Sequence, residues 1–412
     1  MQKRDLIPHL FRTEYRKIVA VLCKRFGMDQ IETAEDIASD TFLAASQSWS
    51  YHEIPPNPVA WLYAVAKNKA KNHLLRDAHF KTTIAHEIKE FAPVSQEMEI
   101  DLSPENINDS QLQMMFAICQ PSISSEAQIG LSLRILCGFG IDEIADAFLS
   151  NKETINKRLH RAKEKLREEE IKMEIPSAVE IDRRLQNVLT TIYLLFTEGY
   201  YSTSQNSTIR KELCVEAMRL GTMLVENQST NKPEANALLA LMSFHASRFE
   251  ARINKDGEMI LYDDQDPSLW DSDLISKGAY FLKLSATGNT VSKYHLEAAI
   301  AYWSTQKADT KEKWEQVLGL YNQLLQMEYS PVAALNRTFA LAKAKGKQEA
   351  IPEAEKLDMQ NNQFYFMLLG ELYTGIDATK AKLNFSKALA LSRTDNDKKN
   401  VQKKLNALTS HD

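Results

Sequence analysis

The sequence has little of what marks a secreted, metal-bound or membrane protein. Only four cysteines, Cys23, Cys119, Cys137 and Cys214, occur in 412 residues. None belongs to a CxxC pair and none has a histidine at ligand spacing, which argues against a disulfide framework or a zinc site and leaves them as buried thiols. No uncharged apolar run approaches the roughly eighteen residues that a membrane span needs. The opening residues MQKRDLIPHLFRTEYRK also lack the apolar stretch and small-residue cleavage site of a secretory leader, so a cytoplasmic location with no membrane partner is expected. Alternating apolar and polar strands joined by hairpin turns are missing as well, and apolar residues recur at helical spacing nearly everywhere, which predicts an all-α fold. The Gly138-Phe-Gly140 pair lacks the surroundings of a phosphate loop.

What is present is the balance of a soluble globular protein, 44% hydrophobic and 25% charged, in a chain long enough for two to four domains. A net charge of -5 argues at first against a nucleic-acid partner. Local counting reverses this. Between Asn57 and Lys81, Lys67, Lys69, Lys71, Arg76 and Lys81 stand against Asp77 alone, and between Ser150 and Arg167 seven Lys or Arg stand against Glu153 and Glu164. The intervening Thr82 to Ser110 carries Glu87, Glu90, Glu97, Glu99, Asp101, Glu105 and Asp109 against Lys89. Prolines mark the joints: Pro55, Pro56 and Pro58, then Pro93 and Pro104, then Pro176. The expected organisation is a helical module over 1–80, an acidic connector over 81–108, a second module over 109–172, and a helical extension over 177–412. In the extension, SPVAALNRTFALAKAKG with QEAIPEAEKL, and FYFMLLGELYTG with ATKAKLNFSKALAL, read as helix pairs joined at glycine, with small residues at close crossings. The second pair resembles a tetratricopeptide unit.

Three segments carry candidate binding residues. LSLRILCGFGIDEIADAFLSNKETINKRLHRAKEKLR, Leu131 to Arg167, reads as a helix-turn-helix. Ile141, Ile144, Ala145 and Phe148 share one face of its first helix, and Ser150 with Glu153 has the spacing of a capping box that starts the second. Ile155, Leu159, Ala162 and Leu166 line the core side of that second helix. The other side presents Glu153, Lys157, His160, Arg161 and Glu164, with Asn156 and Arg158 on the flanks and Lys152 as a further candidate at the helix start, donors and acceptors suited to base edges in a major groove. Basic amphipathic helices also occur as merely solvated faces, so spacing alone leaves both readings open. In PPNPVAWLYAVAKNKAKNHLLRDAH, Val59, Leu62, Tyr63, Ala66 and Ala70 form an apolar stripe. Trp61, Lys67, Asn68, Lys71, Asn72 and Arg76 lie off it, a mixture of ring and cations suited to single-stranded DNA. In TAEDIASDTFLAASQSW, Ala34, Ile37, Ala38, Thr41 and Ala45 face a core. Asp36, Ser39, Asp40, Leu43 and Gln47 then form an outer face suited to a protein partner.

These segments, in this order, resemble the extracytoplasmic-function sigma factors of the sigma-70 family over roughly the first 172 residues. AEDIASDTFL is similar to region 2.2, which grips the clamp helices of RNA polymerase. NPVAWLYAVAKNKAKNHLLR is similar to regions 2.3 and 2.4, which melt and read the minus-10 element. The Leu131 to Arg167 segment is similar to region 4, which reads the minus-35 element. TIYLLFTEGYYS, LLALMSFHASR, LYDDQDPSLWD, KYHLEAAIAYW and SPVAALNRTFALA resemble the subgroup with a C-terminal tetratricopeptide-like (DUF6596-type) extension. Two departures stand out: Ser39 where region 2.2 usually has Gln, and Pro267 where Arg is expected after the DQD triplet. The resemblance implies a non-enzymatic factor without cofactor or metal. Its partners would be the polymerase core (β′ clamp helices and β flap) and promoter DNA, with unstacked bases held in the loop from Ser48 to Pro58. The connector would thread the RNA-exit path, and the extension would act on the sigma modules in cis. Two other readings compete: a helix-turn-helix repressor with a helical sensor, and a divalent-metal enzyme built on Asp263, Asp264, Asp266 and Asp271. A polar loop capping a helix is the preferred account of that acidic cluster.

Overall fold

The computed structural model describes residues 3–84, 100–148, 150–201, 207–252, 260, 262–392 and 395–409. Among these residues every regular element is helical, and the chain divides into two compact units, Met1–Asn231 and Lys232–Asp412.

The first unit is built around helix α1 (Lys3–Phe26). From Ile18 to Cys23 every residue of α1 is buried, the all-round burial of a central helix. Gly27, at φ 102°, ends it in a conformation that L side chains rarely adopt. Helices α2 (Ile31–Tyr51), α3 (Pro58–Ile84) and α4 (Pro104–Ile118) pack on α1. The predicted core face of α2 is buried, and Phe42 and Trp49 join it. Asn57 accepts from the Ala60 N–H at 3.0 Å and, with Pro58 in the first turn, starts α3. Most of the acidic connector, including Glu87, Glu90, Glu97 and Glu99, lies outside the described residues. Its end is helical: the Ser103 hydroxyl caps Asn106, Pro104 opens α4, and Asp101 holds the Ser103 N–H at 2.8 Å, so α4 begins within the stretch expected to be connector.

Helix α5 (Ser125–Leu131) runs into a wide turn over Ser132–Leu136, followed by α6 (Ile141–Ala147) and α7 (Lys152–Glu168). Gly138 has φ 74°, and a Cβ there would lie 2.8 Å from the Arg12 carbonyl oxygen, so glycine lets this turn press against α1. The predicted Ser150–Glu153 capping box does not form. Asn151 is the cap, its Oδ1 accepting from the Thr154 N–H at 2.8 Å, while Glu153 reaches forward to Lys157 at 2.6 Å. Helices α8 (Ala178–Tyr201) and α9 (Ser207–Glu226) form a hairpin against this assembly. Sequence grouped them with the extension; the break between compact units falls after them.

In the second unit α10 (Pro233–Ala246) and α11 (Phe249–Arg252) precede a run of helices: α12 (Ser272–Ser285), α13 (Lys293–Ser304), α14 (Lys311–Met327), α15 (Pro331–Lys345), α16 (Lys347–Glu355), α17 (Gln363–Tyr373), α18 (Ala378–Leu391) and α19 (Asp395–Thr409). From α12 onward each helix packs on the next, and one apolar cluster runs from Trp314 to Val401. The small residues stand at tight crossings: a Cβ on Gly370 would meet the Phe385 ring at 2.7 Å. Gly370→Ala is expected to destabilise this unit by about 1–3 kcal/mol, because overpacking forces α17 from α18. Urea denaturation followed by circular dichroism measures it, and an unshifted midpoint would contradict the crossing.

Candidate nucleic-acid interface

Helix α7 presents two cationic edges. Ile155, Leu159, Ala162 and Leu166 are buried as the spacing predicts, which leaves Lys152, Glu153, Asn156, Lys157, His160 and Arg161 exposed. On one edge Lys157, Arg158, Arg161 and Lys165 line an open cleft of about 530 Å³ with Ser122, Ser124 and Thr154. Arg158 lies 5.4 Å from the Phe148 ring centre, Lys165 pairs with Glu169 at 3.4 Å, and Arg161 has no ion pair among the described residues. A concave surface with cations and hydroxyls suits a phosphate backbone.

The other edge faces α2. Lys163 is bonded to Glu35, Arg167 reaches Glu32 at 3.2 Å, and His160 stands 3.6 Å from Glu32. Glu35, 7% exposed, also receives Arg134 at 3.1 Å and the Tyr15 hydroxyl at 3.2 Å. A buried carboxylate is tolerable only when paired and hydrogen-bonded, and here both cations come from the second module. Burial alone would raise Glu32. The Arg167 hydrogen bond and the charges of Lys163, Arg167 and His160 outweigh it and hold its carboxyl below the usual range.

A second ionic set joins α1 to α6 and α9. Arg12 is bonded to Glu143 and lies 3.0 Å from Glu212; Arg16 pairs with Glu216, which also takes Arg219 at 2.7 Å. Arg219 donates to the Leu136 carbonyl at 2.7 Å. Burial would raise Glu216 too, but Arg219 and Arg16 keep it low.

On α2 the residues Asp36, Ser39, Asp40, Leu43 and Gln47 are all exposed, Leu43 at 56%, and Asp40 pairs with Lys69 at 3.3 Å. On α3 Lys67, Asn68, Lys71, Asn72 and Arg76 are exposed. Trp61 packs on Trp49 with ring centres 5.3 Å apart and is half-buried, between a core ring and an exposed one. The expected base-holding loop is shorter, since α2 continues to Tyr51, and the exposed turn covers 52–57. Tyr51 stands at its edge, 88% exposed, a ring that sequence reasoning passed over.

The Asp-rich loop behaves as a capping loop. Asp266 accepts from the Ser268 N–H, Asp271 from those of Asp273 and Leu274, all at 2.9 Å, and Pro267 opens a short turn. The Asp263 side chain lies outside the described residues, among which no group of three potential metal ligands occurs. The four cysteines are buried, and burial pushes the thiols of Cys119 and Cys137 up to about 12. No described helix is long and apolar enough to cross a membrane.

Residues 10–80 match the family sigma-70 region 2, and residues 184–286 match a family of unknown function, DUF6596. Together they indicate a sigma-70-family sigma factor with a DUF6596 C-terminal region. The chain is similar to an uncharacterized protein of Rhizobium meliloti (strain 1021), 29% identical over 387 residues, 92% of this chain and 91% of that protein. It is also similar to the RNA polymerase sigma factor YlaC of Bacillus subtilis (strain 168), 25% identical over 167 residues, 40% of this chain and 93% of YlaC. No solved structure matches the chain.

Sequence reasoning missed Glu32, Glu35, Arg134, Lys163 and the arginines of α1. One signal was available: Glu35 lies four residues after Ile31 and three before Ala38, an acid on an apolar stripe. Glu32 and Glu216 have lowered folded pKa values, so their stabilising contribution is full above the ordinary glutamate value of about 4.3 and is lost as pH falls through the folded values. The thermal unfolding midpoint of the wild type is expected to fall over that acid range, and that of Glu216→Gln to fall less. Identical acid profiles for the two would remove the α1–α9 pairing as a source of stability.

Proposed function

We propose that the chain is an RNA polymerase sigma factor of the extracytoplasmic-function type that works in the cytoplasm and is regulated in cis by its helical extension. The observation that carries this reading is the match of residues 10–80 to sigma-70 region 2, together with the exposure of the α2 and α3 faces. In this reading Asp36, Ser39, Asp40, Leu43 and Gln47 dock on the β′ clamp helices. Lys67, Asn68, Lys71, Asn72 and Arg76 follow the minus-10 strand, with Trp61 at their edge. Bases unstacked at a cost of a few kcal/mol settle near the 52–57 turn, where Tyr51 offers a stacking face. Helix α7 acts as the reading helix of region 4 on the minus-35 element: Glu153, Asn156, Lys157, His160 and Arg161 meet base edges or phosphates, and Lys152 lies at its entry. No side chain performs chemistry, because nucleotidyl transfer belongs to the polymerase.

The α2–α7 contact gives regulation a physical form. The minus-10 and minus-35 elements are separate stretches of one duplex. In this reading the modules joined through Glu35 part to engage both, so the packed arrangement is a closed form that opens on polymerase, and the α8–α9 hairpin, tied to α1 through Arg16–Glu216, helps to hold it closed. The later helices, tetratricopeptide-like in this reading, offer a superhelical platform for signals that act on the hairpin.

Arg161→Ala is expected to weaken upstream promoter binding roughly tenfold, about 1–3 kcal/mol, in filter binding of the polymerase complex. Asp36→Lys is expected to weaken capture by core polymerase while leaving that DNA contact intact. Core polymerase that ignores the wild-type chain in a pull-down rejects the whole reading. Deleting residues 177–412 is expected to alter reconstituted transcription markedly; unchanged output rejects regulation in cis alone.

A further inference from the structure

The second unit encloses two cations, Arg248 in the DUF6596-matched segment and Lys313 beyond it, that have no hydrogen-bonded carboxylate among the described residues. Following α10, Arg248 is 9% exposed, yet its Nε and Nη1 are buried without a hydrogen-bond partner among the described residues. Its guanidinium lies 5.3 Å from the Tyr262 ring centre, a contact that does not satisfy N–H groups. Lys313 approaches the same tyrosine, its Nζ 5.6 Å from the ring centre and 3.1 Å from the hydroxyl. Lys313 is 4% exposed and is held by neutral oxygens, the Tyr262 hydroxyl and the Gln306 carbonyl. Asp309, which feels the Lys313 charge, is engaged by Trp314 and Lys343. Two buried cations thus flank one ring.

The loop that carries Tyr262 adds two further unsatisfied groups. Gln265 donates through Nε2 to the Ile260 carbonyl, while its Oε1 is buried and unpartnered. The Asp271 N–H donates to the Ser247 carbonyl at 2.8 Å, which brings Trp270 beside the Arg248 segment, and the Trp270 Nε1 is likewise buried without a partner. His245, one turn before Arg248, is pushed well below its ordinary pKa by burial and then by the charges of Arg248 and Arg252. Leaving a buried donor unpaired costs about 1–3 kcal/mol, and more for a charged group, so several together call for an occupant.

We infer that Arg248, Trp270 and Gln265 form a binding site for a small oxyanion that also bears a hydroxyl, of the class represented by hydrogen phosphate. The anionic oxygens would accept from the guanidinium and the indole N–H, and the hydroxyl would donate to Gln265 Oε1. This inference is independent of the sigma-factor reading. Its test is calorimetric titration of the full chain with sodium phosphate, against sodium chloride and sodium sulfate at matched ionic strength and neutral pH. Phosphate is expected to bind at least tenfold more tightly than sulfate, which lacks the hydroxyl. Arg248→Gln and Trp270→Phe are each expected to weaken phosphate at least tenfold. If Arg248→Gln does not fold, Trp270→Phe, which removes only the N–H, decides. Arg161→Ala, in the α5–α7 cleft, is expected to leave phosphate binding unchanged. Absence of phosphate binding, sulfate binding as tight as phosphate, or a phosphate signal lost in Arg161→Ala and retained in Trp270→Phe would each overturn the assignment.

Discussion

A carboxylate buried away from water must find positive charge, and Glu35 finds it in another module. The side chains one turn away on its own helix are Ile31, Glu32, Ala38 and Ser39, none of them a cation, so its partners are Arg134 from the turn after α5 and Lys163 from α7. Breaking such a buried set typically costs about 3–5 kcal/mol, although its net contribution relative to an apolar contact is small because desolvation offsets attraction. What the ions supply is register. An apolar contact between α2 and α7 would tolerate sliding by a turn. A buried acid that must meet two particular cations does not, and the relative placement of the modules follows from this requirement.

The same rule, applied with reversed signs, draws the α8–α9 hairpin into the first unit. Arg16 on α1 is 8% exposed and would be intolerable unpaired, and Glu216 on α9 answers it. Arg219, one turn further on, neutralises the same carboxylate and closes on a backbone carbonyl at the turn before α6. The hairpin thereby touches both modules through one carboxylate. Apolar burial along α8, from Ile181 and Leu185 to Leu195 and Phe196, provides the bulk of the adhesion. The ions select where that adhesive face lands. A segment grouped by composition with the C-terminal repeats is for this reason energetically part of the N-terminal unit.

These contacts explain what was legible in the sequence. Periodicity exposed the helices and their core faces because burial of Ile155, Leu159, Ala162 and Leu166, or of Ala34, Ile37 and Ala38, depends only on local spacing. The outward faces of α2, α3 and α7 followed as complements. Less legible were features decided by competition between near-equal local options: Asn151 outcompeted Ser150 as the α7 cap because its side chain reaches the Thr154 N–H, which freed Glu153 for Lys157. The α4 start was obscured by acids that look like connector until Ser103 and Asp101 are seen capping. Trp61 was half readable, since spacing placed it off the main stripe but said nothing of Trp49 waiting across the crossing. Ionic links between modules were out of reach, because the partners of Glu35 lie 99 and 128 residues along the chain.

The cationic excess of α7 also takes on a different meaning in three dimensions. Of its seven Lys and Arg residues, Lys152, Lys157, Lys163, Lys165 and Arg167 already have carboxylate partners within the chain. The helix is therefore largely self-neutralised, and counting charges along the sequence overstates the field a polyanion would meet. Exposed pairs such as Lys152–Asp142 and Lys157–Glu153 are weak, worth about 0–1 kcal/mol, and yield readily to phosphates. The Lys163–Glu35 link does not yield so easily, since its separation strands a charge in a site of low dielectric unless the modules part and water enters. Exchange of the outer pairs and retention of the inner ones are thus separable events on one helix. In the proposed reading, a polyanion would meet the α5–α7 edge without disturbing the Lys163–Glu35 link, and opening at the α2 edge would require a second source of free energy.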